Sequence, residues 1–387
     1  MNDILDSRET SFKRGGQINY GLNLLRIVAM LFIVGEHFVY HGLSMHQPLN
    51  FNINLVLSFL YLAFAKVDVN CFVLISGYFL IYSKGIQWRH VGRLWGKTLF
   101  YSVGLTLFFL PVMDLSVKDI VRSALPVKFE LYWFITAYIG MYLLHPMVNR
   151  AVRGLSQRSF LHTVFLFVGM FCLYSFKGDT FYAHWGRGIL WMITLYLIGG
   201  YIRLYGLTIS RAQSLCWYVG CSLMTLLVSA IYFSRKGMFF SETIFANNQP
   251  LILIASVAFF LLFKNMQIKK EKYKRAIQFI APSVLSVYLI HEQWIVRTVI
   301  WQDYLHVKEY FNEWYFVFYW IGSVILIFLC CIVADKCCNY VLKKISIAFI
   351  GPLNKFQNGL SKWIQYADYR IISFFMKKTE RYSDGQR

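Results

Sequence analysis

The chain is expected to fold as an all-α, polytopic transmembrane helix bundle of about ten spans, a reading that rests on composition, run length and charge placement. Of 387 residues, 57% are apolar and 19% aromatic, and only 15% are charged. An ordinary soluble domain carries roughly 25% charged residues, so too little polar surface remains here to cover a water-soluble globule. Apolar runs of about 20 residues, long enough to cross about 30 Å of hydrocarbon, recur along the chain. Basic clusters fall on every second connection between those runs, which is the pattern of cytoplasmic loops.

The first run, Tyr20–Tyr40, follows a polar stretch with Asp3, Asp6 and Glu9. No small-residue cleavage site succeeds it, so it reads as a retained span and not a removable signal peptide. Further spans are expected near Val67–Tyr82, Leu94–Met113, Leu131–Val148, Phe160–Phe176, Gly188–Tyr205, Leu215–Phe233, Pro250–Phe263, Phe279–Trp301 and Trp314–Ala334. The connections with Arg89 and Arg93, with Arg150 and Arg153, with Arg203 and Arg211, and with Lys269–Arg275 are basic. So is the segment from Lys336 onward. The positive-inside rule puts these connections and both termini in the cytoplasm, which requires an even number of spans.

Three segments follow: a cytoplasmic N-terminal segment (1–19), a membrane domain (20–334) and a basic tail (335–387). The tail mixes Ile345, Phe349, Trp363 and Phe374 with Lys343, Lys355, Lys362 and Lys377, a composition suited to amphipathic helices on an anionic inner leaflet. The net charge of +20 is thereby accounted for by topology and lipid, and nucleic acid is excluded as a partner. The eight cysteines form no CxxC and read as packing residues in a reducing setting.

Ionisable side chains inside a span cost at least ~2.5–3.5 kcal/mol for arginine, so each is a candidate functional group. The first span has Arg26, Glu36 and His37. Arg26 and His37 are eleven positions apart, about three turns plus 20° of a helix, which places them on one face about 16 Å apart. Taken singly, Arg26 could snorkel to headgroups and His37 could sit inert at the outer interface. Together they line one path, and His37 is the candidate proton acceptor because neutral imidazole titrates near neutrality. His41 lies one turn further on, but no third ligand is placed by the sequence, so no metal is expected.

The stretch NYGLNLLRIVAMLFIVGEHF, with Arg26, ten intervening residues and His37, resembles the signature of the bacterial integral-membrane acyltransferase family 3. Three further segments are similar to that family in the same order. They are VDVNCFVLISGYFL (Val67–Leu80, with Asp68, Ser76 and Tyr78), LYWFITAYIGMYLLHPMV (Leu131–Val148, with Trp133) and SVYLIHEQW (Ser286–Trp294, with His291 and Glu292). The resemblance runs from about Asn19 to Ala334.

It implies O-acylation of cell-envelope or exported glycans, with acetyl-CoA as the expected donor and the bacterial inner membrane as the location. It implies that His37 is catalytic, supported by Arg26 toward the donor, with Glu36 beside them. The family's paired arginines after the second span are matched only loosely by Arg89 and Arg93, which are spaced one residue further apart in WRHVGRLWGK. Guanidinium groups there suit coenzyme A phosphates. Asp68, Ser76, Tyr78, Trp133, His184, Trp185 and His291 are the expected contacts of a lipid-linked or exported glycan acceptor. The rival reading is a polysaccharide exporter or flippase of the same family, which shares the helices and the polar path but has no need of an activating histidine beside an arginine.

Overall fold

The computed structural model describes residues 13–14, 17–43, 51–173, 181, 183–236 and 243–341. The proposed tail helices lie outside them, as does most of the N-terminal segment. Apart from a two-residue antiparallel ladder, Lys13–Arg14 with Gln17–Ile18, the described residues form helices and their connections. The chain divides after Asp335, and the architecture below concerns the first of the two units.

Helix α1 (Tyr20–His37) starts where Asn19 Oδ1 accepts the Leu22 amide at 2.9 Å, and it continues into a π-helical turn, Phe38–Gly42. The next helices are α2 (Ile53–Ala65), α3 (Asp68–Leu80), α4 (Trp88–Phe109), α5 (Val117–Ala124) and α6 (Trp133–Arg153). After them come α7 (Gln157–Phe171), α8 (Ile189–Tyr205), α9 (Arg211–Lys236) and α10 (Pro250–Lys264). The chain then runs through α11 (Glu271–Ile280), α12 (Val284–His291), α13 (Trp294–Thr298) and α14 (Phe316–Val341).

Each span expected from the sequence overlaps helical structure, but fewer than ten of the described helices are long and apolar enough to count as crossings. Four helices among the described residues are long and apolar enough to cross a membrane: Tyr20–Gly42, Ile53–Leu80, Arg211–Lys236 and Phe316–Val341. A fifth crossing is counted if Glu271–His291 and Trp294–Tyr304, bent by 76°, act as one. The other five coincide with α4, α6, α7, α8 and α10, which are shorter or carry more charge.

Two differences from the expected spans bear on function. The second begins at Ile53, because α2 and α3 form one 28-residue rod, so Lys66 and Asp68 sit near its middle and not at its end. The ninth is broken at Glu292 and Gln293, where the Gln293 side chain caps α13 by accepting the Ile295 and Val296 amides. A side-chain cap at that point lets the helix restart in a new direction without orphaned donors.

Burial is inverted relative to a water-soluble bundle. On α9 the buried face carries Ser214, Tyr218, Cys221, Ser222, Thr225 and Ser229, while Trp217, Met224, Leu227 and Ile231 are exposed. On α14 Phe318, Ile321, Ile325, Leu329 and Val333 are exposed. Outward apolar and inward small polar side chains are what lipid as solvent selects. This is a membrane protein.

α1 is the wedge between two apolar clusters. Leu22 and Leu25 pack with α3, α8 and α10, and Met30, Ile33, Val34 and Phe38 pack with α12 and α14. Phe38 is fully buried and stacks on Trp320 at 5.6 Å, which anchors the backbone next to His37. α3 and α8 approach so closely that a Cβ on Gly77 would lie 2.2 Å from the Tyr196 carbonyl oxygen, and one on Gly199 2.3 Å from that of Leu74. Small residues at such a crossing allow backbone contact that side chains would prevent.

Candidate active site

α1 presents its ionisable groups to a cavity of about 470 Å³, lined by Arg26, Glu36 and His37 together. The shared face deduced from their spacing is therefore the face that encloses space. α3 contributes Asp68 and Ser76, α6 contributes Trp133 and Tyr138, and the α12–α13 break contributes Glu292. The volume is in the range of small-molecule sites.

His37 is held through its Nδ1, which lies 3.0 Å from Nε2 of His291. The other ring nitrogen of His291 meets the Val287 carbonyl oxygen, four residues earlier in α12. A carbonyl only accepts, so His291 Nδ1 carries a proton. The neutral His291 ring then offers a lone pair at Nε2, and the proton between the two rings belongs to His37 Nδ1. His37 Nε2, on the opposite side of its ring, is left with its lone pair and has no hydrogen-bond partner among the described residues. A backbone carbonyl thus fixes the tautomer of a cavity-lining imidazole through an intervening fully buried histidine.

Glu292 supplies the charge beside this pair. Its Oε1 accepts from Arg297 Nη1 at 2.9 Å, while Oε2 lies 3.1 Å from His37 Nδ1 and 3.5 Å from His41 Nε2. Oε2 is close enough to both rings for charge attraction but has no hydrogen-bond partner of good geometry among the described residues. The third donor atom that the sequence does not place beside His37 and His41 is this one: His37, His41 and Glu292 offer three ligand-type atoms within 4.8 Å of one another.

Glu36 lines the same cavity but turns away from the His37 ring. It pairs with Lys66 Nζ from the α2–α3 junction, because adjacent helix positions diverge by about 100°. Asp68 adjoins that pair, so two carboxylates and one ammonium line the wall next to His37. Ser76 donates to the Phe72 carbonyl oxygen at 2.9 Å and sits 3.3 Å from the Tyr138 hydroxyl.

The remaining expected contacts fall outside the cavity lining. Tyr78 is buried against α8, where its hydroxyl accepts from Arg203 Nη1 at 3.2 Å. His184 and Trp185 occupy a tight turn with left-handed φ of 49° and 54°, and Arg187 from that turn is the one that reaches the cavity. Arg89 and Arg93, one turn apart, are on the exposed face of α4, and His90 lines the cavity instead.

A family model described as an acyltransferase domain matches residues 19–335. The chain belongs to acyltransferase family 3. Comparison with curated proteins and with solved structures gives no match.

The matched span opens on Asn19, the cap of α1, and contains every residue of the cavity. Membership accounts for an acyl-transfer fold but not for the particular neighbours found here. Lys66, Arg187, Asn247 and Arg297 line the cavity without having been singled out in the sequence. Lys66 carried a readable signal: it interrupts an apolar run that is unbroken from Leu55 to Ala65 except for Ser58 and Tyr61.

Proposed function

We propose that the chain is a membrane O-acyltransferase that moves an acyl group, acetyl in the simplest case, from cytoplasmic acyl-CoA to a hydroxyl of a cell-envelope or exported polysaccharide. The accompanying topology is ten spans in the bacterial inner membrane with both termini cytoplasmic. The observation that carries the reading is the contact of His37 Nδ1 with His291 Nε2 at 3.0 Å, with the other His291 nitrogen on the Val287 carbonyl oxygen, an arrangement that favours a proton on His37 Nδ1 and a lone pair on Nε2 for the substrate proton.

In this mechanism the acceptor hydroxyl gives its proton to His37 Nε2 as its oxygen attacks the thioester carbonyl carbon. The Glu292 carboxylate, 3.1 Å from Nδ1, stabilises the imidazolium that forms. Collapse of the tetrahedral intermediate breaks the C–S bond, and the coenzyme A thiolate leaves with the proton returned from His37. The products are an O-acyl ester and the free thiol. A positioned general base contributes typically ~10²–10⁴-fold. Donors such as Arg26 would stabilise the developing oxyanion in a low-dielectric setting, where such interactions are strongest.

The acyl-CoA nucleotide docks at the basic cytoplasmic surface with Arg89 and Arg93, and its pantetheine arm passes Arg26. The acceptor enters from the opposite end, where Asp68, Glu36 and Lys66 offer buried hydrogen-bonding groups to a polyol. The test is transfer from labelled acetyl-CoA by the purified protein in lipid vesicles supplied with envelope glycan. Alkali-labile label on the glycan supports the reading. Glycan movement across the vesicle membrane with no ester formed would overturn it in favour of an exporter.

A further inference from the structure

We infer that His37, His41 and Glu292 form a divalent-cation site, of the zinc type, whose occupant switches off His37 as a base. The inference rests on the acyl-transfer reading for its consequence but not for the site itself.

The donor set is two imidazoles and one carboxylate, the combination that binds Zn²⁺ with a fourth position left open. Two atoms bound to one tetrahedral Zn²⁺ at about 2.0–2.1 Å are about 3.3–3.4 Å apart. Glu292 Oε2 is close to that spacing from both rings, 3.1 Å from His37 Nδ1 and 3.5 Å from His41 Nε2, and has no hydrogen-bond partner among the described residues. It is also a buried oxygen, on a residue 7% exposed. A buried carboxylate oxygen so placed is a strong acceptor in need of a partner.

The surroundings are built for ligation. Arg297 holds the other carboxylate oxygen at 2.9 Å, and hydrogen bonds of this kind commonly fix the carboxylates that bind metals. The first span changes from α to π geometry at Phe38–Gly42, so His41 is carried on a π turn, a feature frequent at functional sites. Both histidines line the open cavity, and the His41 side chain is 31% exposed, which gives an ion a route to the site.

A cation there would take the Nδ1 lone pair of His37. Nδ1 could then no longer donate to His291, and the ring proton would move to Nε2, the atom that must accept the substrate proton. The ion therefore acts as an inhibitor and not as a cofactor. Protons balance, since the neutral ring exchanges one tautomer for the other.

The test uses the full chain in detergent or lipid discs. Co²⁺ is titrated for the visible band of a tetrahedral ion, Zn²⁺ is used to displace it, and acyl transfer is assayed across the Zn²⁺ series. One displaceable Co²⁺ is expected, with transfer falling as Zn²⁺ binds. His41→Ala, and His41→Gln in case the smaller side chain impairs folding, should keep basal transfer and need at least ~10-fold more Zn²⁺, the lower end of what loss of even a second-shell partner costs. Absence of a tetrahedral Co²⁺ signal in the wild type would overturn the inference. Equal Zn²⁺ inhibition of wild type and a folded His41 variant would also overturn it, because the ion would then act elsewhere. His41-dependent Co²⁺ binding in a protein that transfers no acyl group would uphold the site and sink the enzymatic reading instead.

Discussion

His37 and His291 are 254 positions apart in the chain, yet their ring nitrogens lie 3.0 Å apart. No periodicity encodes that meeting. What the sequence made readable was the Arg26–His37 pair, because both belong to one helix and eleven positions return nearly to the same face. The carboxylate beside His37 was less readable: Glu36 is adjacent in sequence, but it turns to Lys66, and Glu292 takes the place from another helix. In the proposed mechanism His291 is a positioning residue that acts only by accepting from His37 Nδ1. His291→Gln, whose amide oxygen can still accept, should therefore retain far more transfer than His291→Leu. The leucine variant should lose ~10²-fold or more in kcat, the scale of a disabled general base, with acceptor KM nearly unchanged. Steady-state kinetics of the two variants checks this, and equal losses would assign His291 to packing alone.

At the scale of elements, the helices were legible because a lipid-facing helix writes its length into an uninterrupted apolar run. Interruptions were harder to interpret. Lys66 and Asp68 look like the end of a span, but they mark the joint of the rod Ile53–Leu80. The polar triplet His291, Glu292 and Gln293 interrupts the expected span Phe279–Trp301, and it is where the chain bends by 76° and delivers Glu292 to the cavity. The α3–α8 crossing depends on glycine in a way that packing geometry makes testable. Gly77→Ala puts a methyl 2.2 Å from a backbone oxygen and should destabilise by ~1–3 kcal/mol, the usual cost of overpacking. Gly220→Ala on α9 meets nothing within 4 Å and should leave stability unchanged or raised. Thermal inactivation followed by size-exclusion chromatography of the two variants measures the contrast.

At the scale of the whole molecule, the proposed mechanism brings donor and acceptor to one cavity from opposite sides of the membrane, which makes orientation part of the chemistry. Reporter fusions after Arg153 and after Lys274 should read cytoplasmic, and fusions within Asp114–Glu130 and Gln302–Glu313 should read external, as the alternation of basic loops requires. An external reading after Lys274 would remove the basis for a cytoplasmic donor. Arg89 and Arg93 share the exposed face of α4 and do not line the cavity, so the part proposed for them is capture of the donor. Changing both to Gln should raise the apparent KM for acyl-CoA with acceptor KM nearly fixed, the pattern of lost uniform binding. Normal donor saturation in the double variant would leave them a topogenic role only.

In the proposed mechanism His37 takes the acceptor proton. That role is tested most directly by acyl incorporation into envelope glycan in a strain lacking the native gene and complemented with His37→Ala, with membrane levels of the variant confirmed by immunoblot. The account predicts normal insertion and accumulation with acylation at or below ~1% of wild type, as loss of a general base requires. A normally expressed His37→Ala protein that retains more than roughly a tenth of wild-type acylation, well above what such a loss allows, would contradict it.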